Sequence, residues 1–581
     1  MKRILRYLSR HKGAVACIAV FLIIQAACEI SLPGYTADIV DRGIQEKDLA
    51  FLGGACVKML LLSALMLLAS AGASFTAART GAAIGRDLRS RIFKKVVSFS
   101  GPELDHFSTA SLITRCTNDV QQVTTMCTML LRMVLYAPII GAAGIIMVMT
   151  TSTGMSWIIV LAVIAIVALV LGLMRLAHPK FQAMQGLMDD LNLISREILT
   201  GINVVRAFNR QGEEERRFED SNVQLMKTQI FANRVMNFMM PSMMLIMNGI
   251  SVLVVLVGSR SVDAGTIQVG DMIAFITYAM LIVMAFMMIT MISIFLPRAG
   301  VAAGRIDEVL ETECSIKDPE ASEEGSDDPV RGEIRFDHVS FKYPGAEENV
   351  LTDISFTAEA GKTTAIIGST GSGKSTIMQL ILRFYDVTSG SILLDGKDIR
   401  SISSRELRRH MGYIPQKATL FSGTVESNVK YSGSQVSDDI MNQAVEAAQA
   451  EEFVKASPEG FKQRVSQDGS NLSGGQRQRL AIARAIAAQP EILLFDDSFS
   501  ALDFKTDAAL RKALSQITGG AAKIIVAQRI STIMNADCIV VLEEGRVVGT
   551  GRHSQLMENC PVYRETALSQ MTEERATGGE A

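Results

Sequence analysis

Six apolar stretches, each long enough to cross a bilayer, fall within the first 300 residues of this 581-residue chain and constrain its fold more than any other feature. They run over 14–35, 50–75, 129–149, 157–176, 235–257 and 272–296. About 20 mostly apolar residues cover the ~30 Å of hydrocarbon, so each is predicted as a transmembrane helix. The links within pairs are short, as in Thr150–Ser156 and Ser259–Asp271, whereas polar segments of more than 50 residues separate the second span from the third and the fourth from the fifth. Lys2, Arg3, Arg6, Arg10 and Lys12 precede the first span, Arg79–Arg115 carries seven basic residues and Arg175–Arg234 carries nine. By the excess of Lys and Arg on the cytoplasmic side, both termini and both long loops are predicted to be cytoplasmic. A cleaved signal peptide is the rival reading of the first span; five further spans and the lack of a small-residue cleavage site argue against it.

The chain is 48% hydrophobic and only 20% charged, below the roughly 25% charge of an ordinary soluble domain. Its net charge of −3 supplies no basic field for nucleic acid. The eight Cys (17, 28, 56, 116, 127, 314, 538, 560) show no CxxC and no paired spacing, which excludes a disulfide framework or a zinc site.

The long loops are themselves helical in pattern over Arg86–Val97 and Leu187–Leu199, and read as extensions of membrane helices into the cytosol. Pro138, Pro241 and Pro297 fall within or at the end of spans, where they can kink helices. Residues 311–331 form an acidic linker, with eight acidic residues and one Lys between Glu311 and Asp328. Beyond it Ile334–Tyr343 alternates like a half-buried strand, and apolar strands Thr364–Ile367, Ile492–Phe495, Ile524–Val526 and Ile539–Leu542 alternate with helical segments. The predicted fold class is an α-helical membrane domain (residues 1–310, six long helices) followed by an α/β P-loop NTPase domain (332–568). That second domain has a mainly parallel sheet and an antiparallel β subdomain. The tail, 569–581, is expected to be disordered.

Gly368-Ser369-Thr370-Gly371-Ser372-Gly373-Lys374-Ser375 fits G-x-x-x-x-G-K-[ST] directly after a strand and before a helical run, the context that this motif requires. Its glycines let backbone N–H groups close on phosphate oxygens, and the helix that follows presents its positive end. Lys374 would reach the β- and γ-phosphates, with Thr376 in the same turn, and the Ser375 hydroxyl would ligate Mg²⁺. Asp496 ends a buried strand and is placed to hold Mg²⁺ through water. Leu472-Ser473-Gly474-Gly475-Gln476, Tyr413-Ile414-Pro415-Gln416 and Ser500-Ala501-Leu502-Asp503 complete the set.

On these segments the sequence resembles an ATP-binding-cassette (ABC) transporter of the exporter type, six spans fused ahead of one nucleotide-binding domain. The resemblance covers nearly the whole chain, including Arg86-Asp-Leu-Arg-Ser-Arg91, Leu112-Ile-Thr-Arg-Cys-Thr-Asn-Asp119 and Gly201-Ile-Asn-Val-Val-Arg-Ala-Phe208. It implies that ATP and Mg²⁺ are the cofactors, that Tyr343 stacks on adenine, and that Gln416 contacts Mg²⁺ and senses the membrane domain. It further implies that ATP lies between the P-loop of one domain and the signature Ser473–Gln476, with Asp503, of another. One cassette per chain then calls for a second half-transporter in the cell (inner or plasma) membrane. Short transverse helices near Ala110–Arg115 and Asn209–Glu214 would couple the domains.

Two positions depart from the family pattern. Asp497 stands where a Glu would act as general base, and Gln528 where a His would end the following strand. Asp is one methylene shorter, which retracts the carboxylate by about 1–1.5 Å, and a misplacement of that size can cost about 10²-fold. Gln donates a hydrogen bond but does not titrate like imidazole. The expectation is a degenerate ATP site, with the intact signature completing the site of a different, Glu-bearing partner. The alternative is a homodimer with slow turnover.

Twelve of the 31 Met fall in the last two spans, where Met236, Met240, Met243 and Met247 repeat the spacing of Met280, Met284, Met287 and Met291. Each series marks one helix face, which lines a substrate cavity or packs against lipid and neighbouring helices. Glu29 and Arg132 fall within or near spans, and an intramembrane charge is a functional candidate, although either can snorkel to the headgroups. The leading functional expectation is an exporter subunit for amphipathic small molecules, such as drugs, or for lipids. Rival readings are a peptide exporter and an ATP-gated channel or regulatory subunit.

Overall fold

The computed structural model of the chain describes residues 7, 9–151, 154–319, 329–433, 435–500 and 503–576. Residues 320–328 of the expected acidic linker and the final residues, 577–581, lie outside the described residues. The chain divides into two compact units, Met1–Val97 with Thr109–Thr312, and Ser98–Ser108 with Glu313–Ala581. Composition alone assigned all of 1–310 to the membrane domain; in the structure the short segment Ser98–Ser108 packs with the second unit.

Among the described residues the first unit holds six helices long and apolar enough to cross a membrane, as expected. The helix Leu49–Val97 has 49 residues and Ser156–Thr200 has 45. At 1.5 Å per residue these reach about 70 Å, more than twice the hydrocarbon thickness, so the polar loops are helical continuations of the spans. Pro138 lies in the helix Leu135–Thr151, directly after a π-helical turn at Leu130–Val134. A proline has no N–H for the carbonyl four residues earlier, and a wider turn is one way to absorb the missing bond. Met239–Asp263 follows a break at Phe238, which leaves Pro241 in a first turn, where its missing N–H is harmless. The helix Val269–Glu311 runs on through position 297. Helices Leu49–Val97 and Val120–Met129 approach closely: a Cβ at Gly81 would lie 2.3 Å from Thr128 Oγ1.

Among the described residues the second unit contains three sheets. An antiparallel sheet has the order β2–β1–β4–β5, from β1 (Ile334–Phe341), β2 (Leu351–Ala358), β4 (Ser389–Leu394) and β5 (Lys397–Asp398). The main sheet has the order β12–β11–β3–β10–β9–β6, from β3 (Thr363–Gly368), β6 (Met411–Ile414), β9 (Ile492–Asp496), β10 (Ala522–Val526), β11 (Cys538–Glu543) and β12 (Arg546–Gly551). A two-stranded pair joins β7 (Gly423–Thr424) to β8 (Arg464–Val465). Among the described residues β12 alone runs antiparallel in the main sheet. Strands β9 and β10 are buried along their whole length, which accounts for their continuous apolar runs. One expectation is corrected at the C-terminus. The helix Pro561–Ala576 runs through most of the tail expected to be disordered, and its Tyr563 and Ala567 are buried in the core.

The transverse helix of the first loop also differs from expectation. The short helix of the second unit is Gly101–His106, whereas Thr109–Thr114 begins the third membrane helix. The Gly101 N–H donates to the Phe384 carbonyl at 2.9 Å. Tyr385 donates to Asp105 Oδ2 at 2.5 Å, and Ser315 donates through its N–H (2.9 Å) and hydroxyl (2.5 Å) to Glu103. In the second loop, the turn with Asn209 at φ 55° falls between the helices Ile202–Ala207 and Gln211–Asn237.

Candidate nucleotide site

Parallel pairing of β3, β10 and β9 aligns Val526 with Ile366 on one side and with Asp496 on the other. The carboxyl ends of these strands therefore lie together, where open α/β sheets bind ligands. The P-loop leaves β3 there, Asp496 ends β9 and Asp497 follows it, Gln528 follows β10, and Gln416 follows β6. Segments far apart in sequence become one site.

The loop Ser369–Gly371 is exposed and the helix Lys374–Ile381 starts behind it. Gly373 caps that helix at φ 95°, and a Cβ there would lie 2.5 Å from Leu351 Cδ2, so both backbone and packing demand glycine. Lys374 Nζ donates to the carbonyls of Gly368 (2.8 Å) and Ser369 (2.6 Å) and is within 3.5 Å of Ser372 Oγ. Burial pulls its pKa below the ordinary lysine value, and Asp497 and Asp496 oppose the shift. The ammonium is thus held across the loop that would receive phosphate.

Ser375 Oγ donates to Asp496 Oδ1 at 2.9 Å. Burial raises the Asp496 pKa, against the hydrogen bonds of Ser375 and Tyr413 and the charge of Lys374. A hydroxyl and a carboxylate oxygen side by side next to the loop are the hard donors that Mg²⁺ prefers, so the residues fit that ion. Tyr413 opens the Tyr413–Gln416 segment, but its bond to Asp496 is one that the motif did not announce; the pairing of Ile414 with Phe495 brings β6 next to β9.

Asp497 has a left-handed backbone, φ 46°, and its N–H donates to the Val526 carbonyl at 3.0 Å. Gln528 Nε2 donates to Asp497 Oδ2 at 2.8 Å, and the Gln416 side chain bonds the same carboxylate. Burial and then the charge of Asp496 raise the Asp497 pKa above the ordinary carboxylate value. The two residues that depart from the family pattern are therefore hydrogen-bonded to each other.

Tyr343 is half-buried, with its ring edge-on to Phe341 and Tyr385. Its hydroxyl donates to Gln379 Oε1 at 2.8 Å and lies 3.1 Å from Thr376 Oγ1, beside the P-loop helix. Ser473 and Gln476 cap the helix Gly474–Ala487 reciprocally: Ser473 N–H donates to Gln476 Oε1 at 2.9 Å, and Gln476 N–H donates to Ser473 Oγ at 3.3 Å. Gly474 is exposed, and Gly475 half-buried, in the first turn of this helix. Asp503 caps the helix Phe504–Ile517 through Thr506 N–H at 2.9 Å; Ala501 and Leu502 lie outside the described residues.

The sequence matches two family descriptions, "ABC transporter transmembrane region" over residues 15–286 and "ABC transporter" over residues 351–500. It is 40% identical over 568 residues, 97% of each chain, to an "Uncharacterized ABC transporter ATP-binding protein" of Mycobacterium tuberculosis (strain CDC 1551 / Oshkosh). It is 33% identical to the "ATP-dependent lipid A-core flippase" of Pseudomonas fluorescens (strain Pf0-1), over 89% of this chain and 85% of that one. Among solved structures, a bacterial Atm1-family ABC exporter with ATP bound aligns with a TM-score of 0.80 over 98% of this chain and 99% of that one, and at 24% identity this is a likeness of fold. The chain belongs to the ABC transporters. It is an ATP-hydrolysing, multi-pass membrane transporter subunit, and such half-transporters act as dimers.

Proposed function

We propose that the chain is one half of a heterodimeric exporter that carries amphipathic small molecules or lipids out of the cytoplasm or the inner leaflet. Both termini are cytoplasmic in this reading, in keeping with the basic residues around the spans. Its own nucleotide site is degenerate. The hydrogen bond between Gln528 and Asp497 is the observation that carries this reading. A general base must have a free lone pair facing the attacking water. Here the shorter carboxylate is held by two carboxamides, Gln528 and Gln416, neither of which takes up a proton.

ATP binding remains supported. Lys374 moves from the carbonyls of Gly368 and Ser369 to phosphate oxygens, and Tyr343 offers a half-buried ring to adenine. Ser375 and Asp496, with Gln416, would hold Mg²⁺, whose charge would offset that of the phosphate oxygens. The signature is intact: Ser473 and the first amides of the helix Gly474–Ala487 are offered to the γ-phosphate of an ATP held by a Glu-bearing partner. The lipid part of the cargo reading draws on the likeness to the lipid A-core flippase.

The decisive experiment expresses this chain alone and together with its gene neighbour. Stable 1:1 co-purification, with ADP formation confined to the complex, is the expected result. A stable homodimer of this chain that hydrolyses ATP at the rate of the complex would sink the heterodimer.

A further inference from the structure

The membrane unit contains a cavity of about 730 Å³. One wall is the helix Leu49–Val97 from Ser70 to Arg89, and the other is Val120–Met129 with the π turn Leu130–Val134. Contacts at Gly81 with Thr128 and at Gly85 with Thr124 set the two walls antiparallel. Arg89 and Gln121 therefore lie towards the loop end of the cavity, and Arg132 and Tyr136 deeper towards the span.

Its lining has an uneven chemistry. Arg89 and Arg132 both line it, and no Asp or Glu does. Neither arginine has an ion-pair partner among the described residues. The nearby carboxylate of Glu29 stands outside the lining and is engaged by the Tyr136 hydroxyl. Leu22, Met129, Met133 and Met288 supply apolar surface, and Gln25 with several Ser and Thr hydroxyls supplies neutral hydrogen bonds. None of the eight residues of the two methionine stripes is in this lining. A guanidinium at the edge of hydrocarbon without a carboxylate is costly unless water or an anion meets it.

We propose that this cavity binds amphipathic anions. The acidic headgroup pairs with Arg132, the hydrocarbon lies along Met133, Met288 and Leu22, and Arg89 attracts the anion from the loop end. A planar guanidinium suits carboxylate and phosphate oxygens alike. The claim rests on the exporter reading for its relevance to transport, but it concerns equilibrium binding without nucleotide.

The test uses the complex of this chain and its partner in phosphatidylcholine nanodiscs, free of nucleotide. The probe is 11-(dansylamino)undecanoic acid, compared with its neutral carboxamide by fluorescence titration. The acid is expected to bind about tenfold tighter than the amide, as one good charge-assisted pair in a partly wet site allows. Arg132→Gln should bring the two within about twofold, Arg132→Lys should keep part of the preference, and Arg89→Gln should weaken it less than Arg132→Gln does. Dodecyl phosphate and laurate serve as competitors: stronger displacement by one assigns a phosphate or a carboxylate headgroup, and displacement by neither overturns the proposal. Equal binding of acid and amide by the wild type, or a full preference surviving in Arg132→Gln, would also overturn it. If Arg132→Gln binds neither probe because it misfolds, Arg132→Lys decides: loss of acid preference there, with the amide still bound, counts against the site. ADP formation is read on a parallel sample given ATP, with and without Lys374→Ala, so a failure of the degenerate-site reading is seen separately.

Discussion

The P-loop end and the signature end of the nucleotide-binding domain use side chains of similar polarity in opposite ways. At the P-loop end they turn on one another: Lys374 on loop carbonyls, Ser375 on Asp496, Gln528 on Asp497. At the signature end Ser473 and Gln476 satisfy only the local cap, and the exposed Gly474 leaves the start of a 14-residue helix open. The difference teaches that the altered residues affect one end alone. A chain that had lost its ATPase role altogether would have no reason to keep the other end open and intact.

The largest expected effect strikes the open end. A Cβ at Gly474 meets nothing within 4 Å, so Gly474→Asp folds normally yet sets a carboxylate where a partner's γ-phosphate would lie. ADP formation by the purified complex should fall by about 10²-fold or more, the scale set by losing a positioned donor to a developing charge. A drop of less than threefold would break the comparison.

Repair of the other end comes next. Asp497→Glu together with Gln528→His returns the longer carboxylate and a titrating imidazole. In the chain purified alone and concentrated, where two copies supply each other's signature, turnover should rise by about 10- to 100-fold. An unchanged rate would mean that the Asp497–Gln528 pair is not what limits hydrolysis.

Lys374→Ala is the milder counterpart of Gly474→Asp. Burial and loop carbonyls already engage this lysine, and its loss should weaken ATP-analogue binding at this chain's site while ADP formation by the complex falls by less than about tenfold. Complete loss of ADP formation would place hydrolysis at this site.

The smallest effect sharpens the comparison from outside both ends. Glu103 is buried and accepts bonds from Ser100 and Ser315. Burial alone would raise its pKa, but these bonds outweigh it and the net shift is downward. A carboxyl with a lowered folded pKa contributes stability that is present above its unfolded pKa and is lost as pH falls through the folded one. Glu103→Gln should therefore cost about 1–3 kcal/mol at pH 7. The cost should begin to shrink as pH falls through the ordinary Glu range, about 4.3, and disappear only below the lowered folded pKa. Hydrogen exchange over Ser98–Ser108 at pH 7 and at descending pH checks this.

Much of the molecule was readable from local pattern. The six spans, the helical extensions of the loops, the buried strands ending in Gly368 and Asp496, and the departures at Asp497 and Gln528 all appear as runs or fixed spacings. The contact of Tyr413 with Asp496 was missed because nothing near Tyr413 in sequence refers to Asp496; the pairing of β6 with β9 makes them neighbours. The transverse helix was displaced by several residues because Gly101–His106 is defined by its bonds to Phe384, Tyr385 and Ser315, far along the chain. The tail's polar composition likewise concealed its helical start, which continues the helix anchored in the core by Tyr563 and Ala567 just ahead of it.

By itself the sequence determined that this chain crosses a membrane six times and carries one P-loop and one signature, because hydrophobic length and phosphate-binding loops are properties of contiguous residues. Only the tertiary structure decided that Gln528 ties down Asp497, that Ser98–Ser108 belongs with the ATPase unit, and that Arg89 and Arg132 share a cavity without a carboxylate. Those facts depend on sheet order and helix register. Both are settled by which surfaces pack together across long sequence separations, and no short segment records them.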